Sequence, residues 1–149
     1  MEIITASQAV SYITKVMGES AKLYESLAQK YAEEKETFLS LAKENMLNKK
    51  SIERAYYEII SDKLEACFCF SDLNTDKYST KTELPEDIDY SSTLSNLLDM
   101  EEKTRNFLLD AGKQSKSLVP DVSWIFERMG KKRAERIAKL RMLLDKVAK

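Results

Sequence analysis

A chain of 149 residues is long enough to enclose one hydrophobic core and too short for two ordinary domains, so a single domain over 1–149 is expected. Hydrophobic residues at 43%, with only three glycines and two prolines, favour a helical protein over a sheet protein, which needs more turn residues and β-branched runs. With 24 basic against 25 acidic residues the net charge is −1, which excludes a global pull towards nucleic acid or anionic membrane.

No apolar run approaches the ~18 residues of a membrane span, and the first residues lack a basic start followed by an apolar stretch. A cytoplasmic location without membrane attachment is therefore predicted. Cys67 and Cys69 are too close for an easy disulfide and too few for a closed zinc site, so they are expected as reduced thiols at a helix end.

The first helix is predicted from Thr5 or Ser7 to about Tyr31, opened by Thr5-x-x-Gln8 as a capping box. Val10, Ile13, Met17, Ser20 or Ala21, Tyr24, Leu27 and Tyr31 recur at steps of three and four, which places them on one face. The short charged connection from Ala32 to Lys35 implies that the second helix returns antiparallel to the first. That helix runs from Phe38 through Ile60 and fades near Ala66. Its stripe is Phe38, Leu41, Asn45, Asn48, Ile52, Ala55 and Ile59, so two amides point inward. Each costs about 1–3 kcal/mol if buried without a partner.

Between Cys67 and about Ser91 the helical period stops, and Asn74, Ser79, Thr80 and Pro85 supply turn chemistry. A segment this long can cross from one end of a bundle to the other and leave the second and third helices parallel. Phe68, Phe70, Leu73, Tyr78, Leu84, Ile88 and Tyr90 are expected to pin it to the outside. The third helix is predicted from Ser92 to Gln114 with the stripe Leu94, Leu97, Glu101, Thr104, Leu108 and Ala111. Gly112 and the polar run through Ser117 should end it. Pro120-Asp121 opens the fourth, where proline is tolerated. Its stripe is Val122, Ile125, Met129, Arg133, Arg136 or Ile137, Leu140, Leu143 or Leu144, and Val147. Gly18 and Gly130 are read as permitting close helix approach.

The four stripes share apolar ends and a central layer of Met17, Asn45, Asn48, Glu101, Arg133 and Arg136. A bundle core that is polar at one level commonly holds a ligand or descends from one that did. The segments LYESLAQKY and FLSLAKENMLNKKSIERAY, followed by LLDMEEKTRNFLLDA and IFERMGKKRAERIAKL, resemble the two halves of the ferritin-like superfamily, most closely its rubrerythrin-type di-iron carboxylate members. The resemblance implies an all-α, ferritin-like antiparallel four-helix bundle with a long crossover between the second and third helices. In that family two metal ions, usually iron, are held by four carboxylates and two histidines, and the proteins reduce peroxide or oxidise iron.

Carried onto this chain, the first inward Glu falls on Met17 and the first Glu-x-x-His on Asn45 and Asn48. The second inward Glu falls on Glu101, and the second Glu-x-x-His on Arg133 and Arg136. Only Glu101 is retained, and the chain contains no histidine. A thioether, two amides and two guanidinium groups do not form a first shell for iron. The resemblance therefore implies a degenerate, vestigial site: no catalytic residue, no cofactor, no bound metal. A dimeric structural or interaction module that is not an enzyme is the expected function. An arginine should sit where the ions were, neutralised by Glu101 and hydrogen-bonded to Asn45 or Asn48.

Other readings carry different expectations. Arg133 and Arg136 could extend to solvent over apolar stems, the two asparagines could line a wet pocket, and Met17 is read as core filler. Tyr24, Tyr56 and Tyr57 suit core or interface positions. An iron-handling or oxidoreductase alternative would use Glu101 with Glu19, Glu25, Glu44 or Glu102 in a displaced site. The concentration of charge at Arg128, Lys131, Lys132, Arg133, Arg136, Lys139 and Arg141 is the one local argument for nucleic-acid binding. Without a phosphate loop or aromatic platform beside it, that partner is not expected.

Overall fold

The computed structural model describes residues 1–59, 70, 72–115 and 120–148. Among these the chain forms four long helices and no strand: α1 (Ala6–Lys30), α2 (Lys35–Ile59), α3 (Tyr90–Ser115) and α4 (Pro120–Ala148). The chain is thus all-α. Cys67, Cys69, Phe68, Ile60 and the expected fading of the second helix near Ala66 lie outside the described residues.

Local chemistry sets the helix starts. The capping box at α1 is present in both directions, with the Gln8 amide donating to Thr5 Oγ1 at 3.2 Å and Gln8 Oε1 accepting from the Thr5 amide at 3.1 Å. α2 begins three residues before Phe38, because a 3-10 turn over Ala32–Glu34 leads directly into Lys35. Glu36 in its first turn suits the positive end of the helix dipole. α3 begins at Tyr90, ahead of the expected Ser92, since the Asp89 carboxylate accepts from the Ser92 amide at 2.7 Å and caps the open end.

Two apolar clusters fill the interior. One joins Ile13 and Met17 of α1, Ile52 of α2, Phe107 and Leu108 of α3, and Phe126 of α4. The other joins Tyr24 and Leu27, Phe38 and Leu41, Leu94 and Leu97, and Leu140 from the same helices in turn. α1 packs mainly on α2 and α3 mainly on α4, with fewer contacts between the two pairs. The fourth stripe runs out early: Leu143 and Leu144 are half-buried and Val147 is exposed. In the segment before α3, Phe70, Leu73 and Tyr78 are buried and Leu84 and Ile88 are half-buried, as is Tyr90 at the start of α3. Tyr78 meets Phe107 edge-on at 5.3 Å. Backbone bonds from Ile3 N to Leu73 O at 2.6 Å and from Phe70 N to Ile4 O at 2.8 Å tie that segment to the start of the chain.

The third helix is described to Ser115, one residue past the expected Gln114, but the glycines meet expectation unevenly. Gly112 does not stop α3, which continues in regular helix to Ser115 with no glycine at positive φ among the described residues. A Cβ there would lie 3.1 Å from both the Glu127 amide nitrogen and the Ser123 carbonyl oxygen, so the residue is small because α4 crosses against it. Gly130 does sit at a close approach, with Leu109 Cδ2 at 2.8 Å from a Cβ position. Gly18 does not, since its nearest neighbour would be Lys49 Nζ at 3.7 Å. Gly18→Ala should therefore stabilise the fold by about 0.5–1 kcal/mol through helix propensity. Gly112→Ala should destabilise it by about 1–3 kcal/mol through overpacking against backbone. Urea unfolding with unchanged slope would register both.

Candidate functional site

Glu101 occupies the middle of the α3 stripe and is 1% exposed. Arg133 and Arg136, three residues apart on α4, share the face opposite it. Arg133 Nη1 donates to Oε2 at 2.8 Å, while Arg136 donates to Oε1 through Nη2 at 2.7 Å and Nε at 3.1 Å. The Tyr24 hydroxyl of α1 donates to the same Oε1 at 2.6 Å. Arg136 Nη1 reaches across to the Leu41 carbonyl of α2 at 3.3 Å, and the half-exposed Glu44 carboxylate lies 3.8 Å from it. The Arg136 guanidinium also stands 5.5 Å from the centre of the Tyr24 ring, a cation–π distance. α1 and α4 thus supply the donors to the buried carboxylate of α3, and α2 joins the cluster through Arg136.

The electrostatics follow from burial opposed by pairing. Burial alone would raise the Glu101 carboxyl, but Arg133, Arg136 and the bonds from Arg136 and Tyr24 outweigh it and hold the group at about 2, below its ordinary 4.5. Burial, then the Glu101 charge, pushes Tyr24 well above its ordinary value of 10.0, so it remains a neutral donor. Burial also draws Arg133 down from its ordinary value against the pull of Glu101. Arg136 experiences the same burial, yet Glu101 and Tyr24 raise it.

The structure brings Glu101, Arg133 and Arg136 together and keeps both arginine heads out of solvent, each residue being 2% exposed. Met17 is buried in the apolar cluster beside Ile13. Asn45 is fully buried, but neither its Nδ2 nor its Oδ1 has a hydrogen-bond partner among the described residues, so it does not bond an arginine as expected. Asn48 departs further: it is only half-buried and lines a pocket of about 230 Å³ between α2 and α4 with Met129 and Lys132. Three residues advance a helix by ~300°, leaving Asn48 about 60° off the line through Asn45, whereas the seven-residue step to Ile52 returns to it. Tyr24 takes a core position, one of the two expected of it, and its bond to Glu101 is a feature that the stripe alone does not indicate. An inward tyrosine about two turns from Met17, whose hydroxyl must find a partner, is the available signal.

The carboxylates of a displaced metal site do not converge. Glu19 accepts from Thr82 at 3.1 Å, Glu102 pairs with Arg141 at 2.9 Å and Glu25 is exposed. Among the described residues no group of three or more acidic or cysteine side chains is arranged to hold a metal ion. The basic surface of α4 is also reduced, since Arg133 and Arg136 face inward and Arg141 is paired, leaving Arg128, Lys131, Lys132 and Lys139 exposed. Arg128 lies over the Trp124 ring at 5.0 Å.

Glu101→Ala leaves two buried guanidinium groups without their counter-charge and should cost about 3–5 kcal/mol in unfolding free energy. Tyr24→Phe removes one donor to a charged acceptor and should cost about 1.5–3 kcal/mol. The carboxyl also predicts a pH dependence. Between 4.5 and about 2 the unfolded chain holds a proton on Glu101 that the folded chain does not. The contribution, roughly 3 kcal/mol, is complete above that window and is lost as pH falls through it. Glu101→Gln should show a correspondingly shallower loss of stability than wild type over the same range.

Comparison of the chain with protein-family models, with curated proteins and with solved structures finds no match in any of the three, and the chemistry of the site rests on the residues that form it.

Proposed function

We propose that this chain is a degenerate relative of the ferritin-like, rubrerythrin-type proteins, in which an arginine–glutamate–tyrosine cluster has replaced the di-iron centre. In this reading it acts as a structural or interaction module, not as an enzyme. The observation that carries the proposal is the saturation of Glu101, the one carboxylate matching a family ligand position, by donors from Arg133, Arg136 and Tyr24. A cation approaching Glu101 would meet two positive charges in a low-dielectric interior and would have to displace their hydrogen bonds. The donor set does not fit iron.

The arrangement of the core supports the antiparallel, ferritin-like topology. The first half of α1 shares a cluster with Ile52, late in α2, while its second half shares the other with Phe38 and Leu41 at the α2 start. The same inversion relates α3 to α4, and the two late halves of α2 and α3 fall in one cluster, as a crossover between parallel helices requires. Self-association is supported by the outer surface of α2, where Leu39, Met46, Leu47 and Tyr57 are exposed.

Elemental analysis after anaerobic incubation with excess iron, then separately manganese and zinc, each followed by desalting, tests the reading. Near-zero metal is the expected result. Retention of about two ions per chain, the stoichiometry of the family site, would overturn it.

A further inference from the structure

We propose that the seam between α2 and α4 binds a small carboxylate, gripped by the free edge of Arg133 and the amide of Asn45. Arg133 commits only Nη1 to Glu101. Its Nε and Nη2 are buried and have no partner among the described residues. These two N–H groups lie on one edge of the guanidinium plane, the fork that holds a carboxylate bidentately. Asn45, at 0% exposure, presents an unpartnered donor and an unpartnered acceptor.

The two residues occupy the same level of the seam. α2 and α4 meet where Arg136 Nη1 donates to the Leu41 carbonyl. Leu41 shares its core cluster with Leu140, whereas Ile52 shares the other with Met129. Moving along α2 from Leu41 towards Ile52 therefore follows α4 from Arg136 towards Met129. One turn in that direction lies Asn45 on α2 and Arg133 on α4.

Charge selects an anion over water. The buried cluster holds two guanidinium ions against one carboxylate, and Glu44, the next acid, is 40% exposed and stands beside Arg136. A water molecule would satisfy the Asn45 amide but would leave the excess positive charge of Arg133 uncompensated. A carboxylate satisfies both. The pocket of about 230 Å³ on the next turn of the same seam, with Lys132 and Arg128 beside Met129 and Ile125, offers a basic mouth and an apolar wall. That combination suits an acid carrying a short hydrocarbon tail.

The proposal rests on the buried network of the functional reading but not on its descent from a metal centre. Metal uptake would sink the scaffold reading alone, and a flat anion titration would sink this proposal alone. The test is titration of the full chain with propionate at constant ionic strength, followed by calorimetry and by the arginine Nε–H signals in a proton–nitrogen spectrum. Arg133→Lys assigns the Arg133 signal, and the calorimetric arm on wild type needs no variant. Saturable heat, movement of the Arg133 signal, and a rise in melting temperature of roughly 5–10 °C at about one hundred times Kd are expected. Asn45→Leu, which retains Glu101 and both arginines, should weaken binding at least about tenfold, the effect of losing one good polar contact. Absence of saturable heat, equal binding of the neutral isostere propionamide, or unchanged affinity in Asn45→Leu would each overturn the assignment.

Discussion

A carboxylate removed from water stays ionised only where donors replace its hydration, and Glu101 receives them from a phenol and two guanidinium groups on two other helices. Such a cluster is a poor source of net stability, because desolvation cancels much of the attraction. Its effect is directional. Apolar side chains above and below this level would tolerate helices sliding by a fraction of a turn, whereas the distances around Glu101 would not. The cluster acts as a register mark shared by four helices, with apolar packing supplying most of the driving force on either side.

That role is sharpened by the uneven packing. α1 with α2, and α3 with α4, form the two well-packed pairs. Tyr24 to Glu101, Ser20 to the Met100 sulfur, and Arg136 to Leu41 and Glu44 are among the polar connections that run between them. The two pairs are therefore joined at mid-height by a few directional bonds as well as by core packing at the ends. The α2–α4 side, less densely packed than the faces within each pair, is also where Asn45 and Arg133 retain unused hydrogen-bonding capacity.

Much of this was legible in the chain, for identifiable reasons. Steps of three and four from Leu94 to Ala111 mark a face, and every residue on that stripe is buried. Glu101 among them had to be neutralised, and Arg133 and Arg136 were the cations at matching height. The amides were harder to read. Asn45 and Asn48 look equivalent in a list of stripe positions, but angular drift separates a fully buried residue from one at a pocket mouth. Gly112 shows a related ambiguity, since a glycine near a helix end signals either a left-handed stop or a crossing partner. Only the position of Ser123 and Glu127 across from it distinguishes the two. The geometry of a hydroxyl such as that of Tyr24 depends on rotamer and neighbouring helix height, which hydrophobic periodicity does not encode.

The tie between the start of the chain and the segment before α3 bears on the order in which the fold can assemble. Met1 bonds the Asn74 side chain 73 residues away, and Ile3 and Ile4 exchange backbone bonds with Leu73 and Phe70. Closing so long a loop in an unstructured chain carries a large entropic penalty, while prior pairing of α1 with α2 brings its ends near one another. The N-terminal residues thus report on a late event: their amide protons should become protected from exchange only after α1 and α2 have paired.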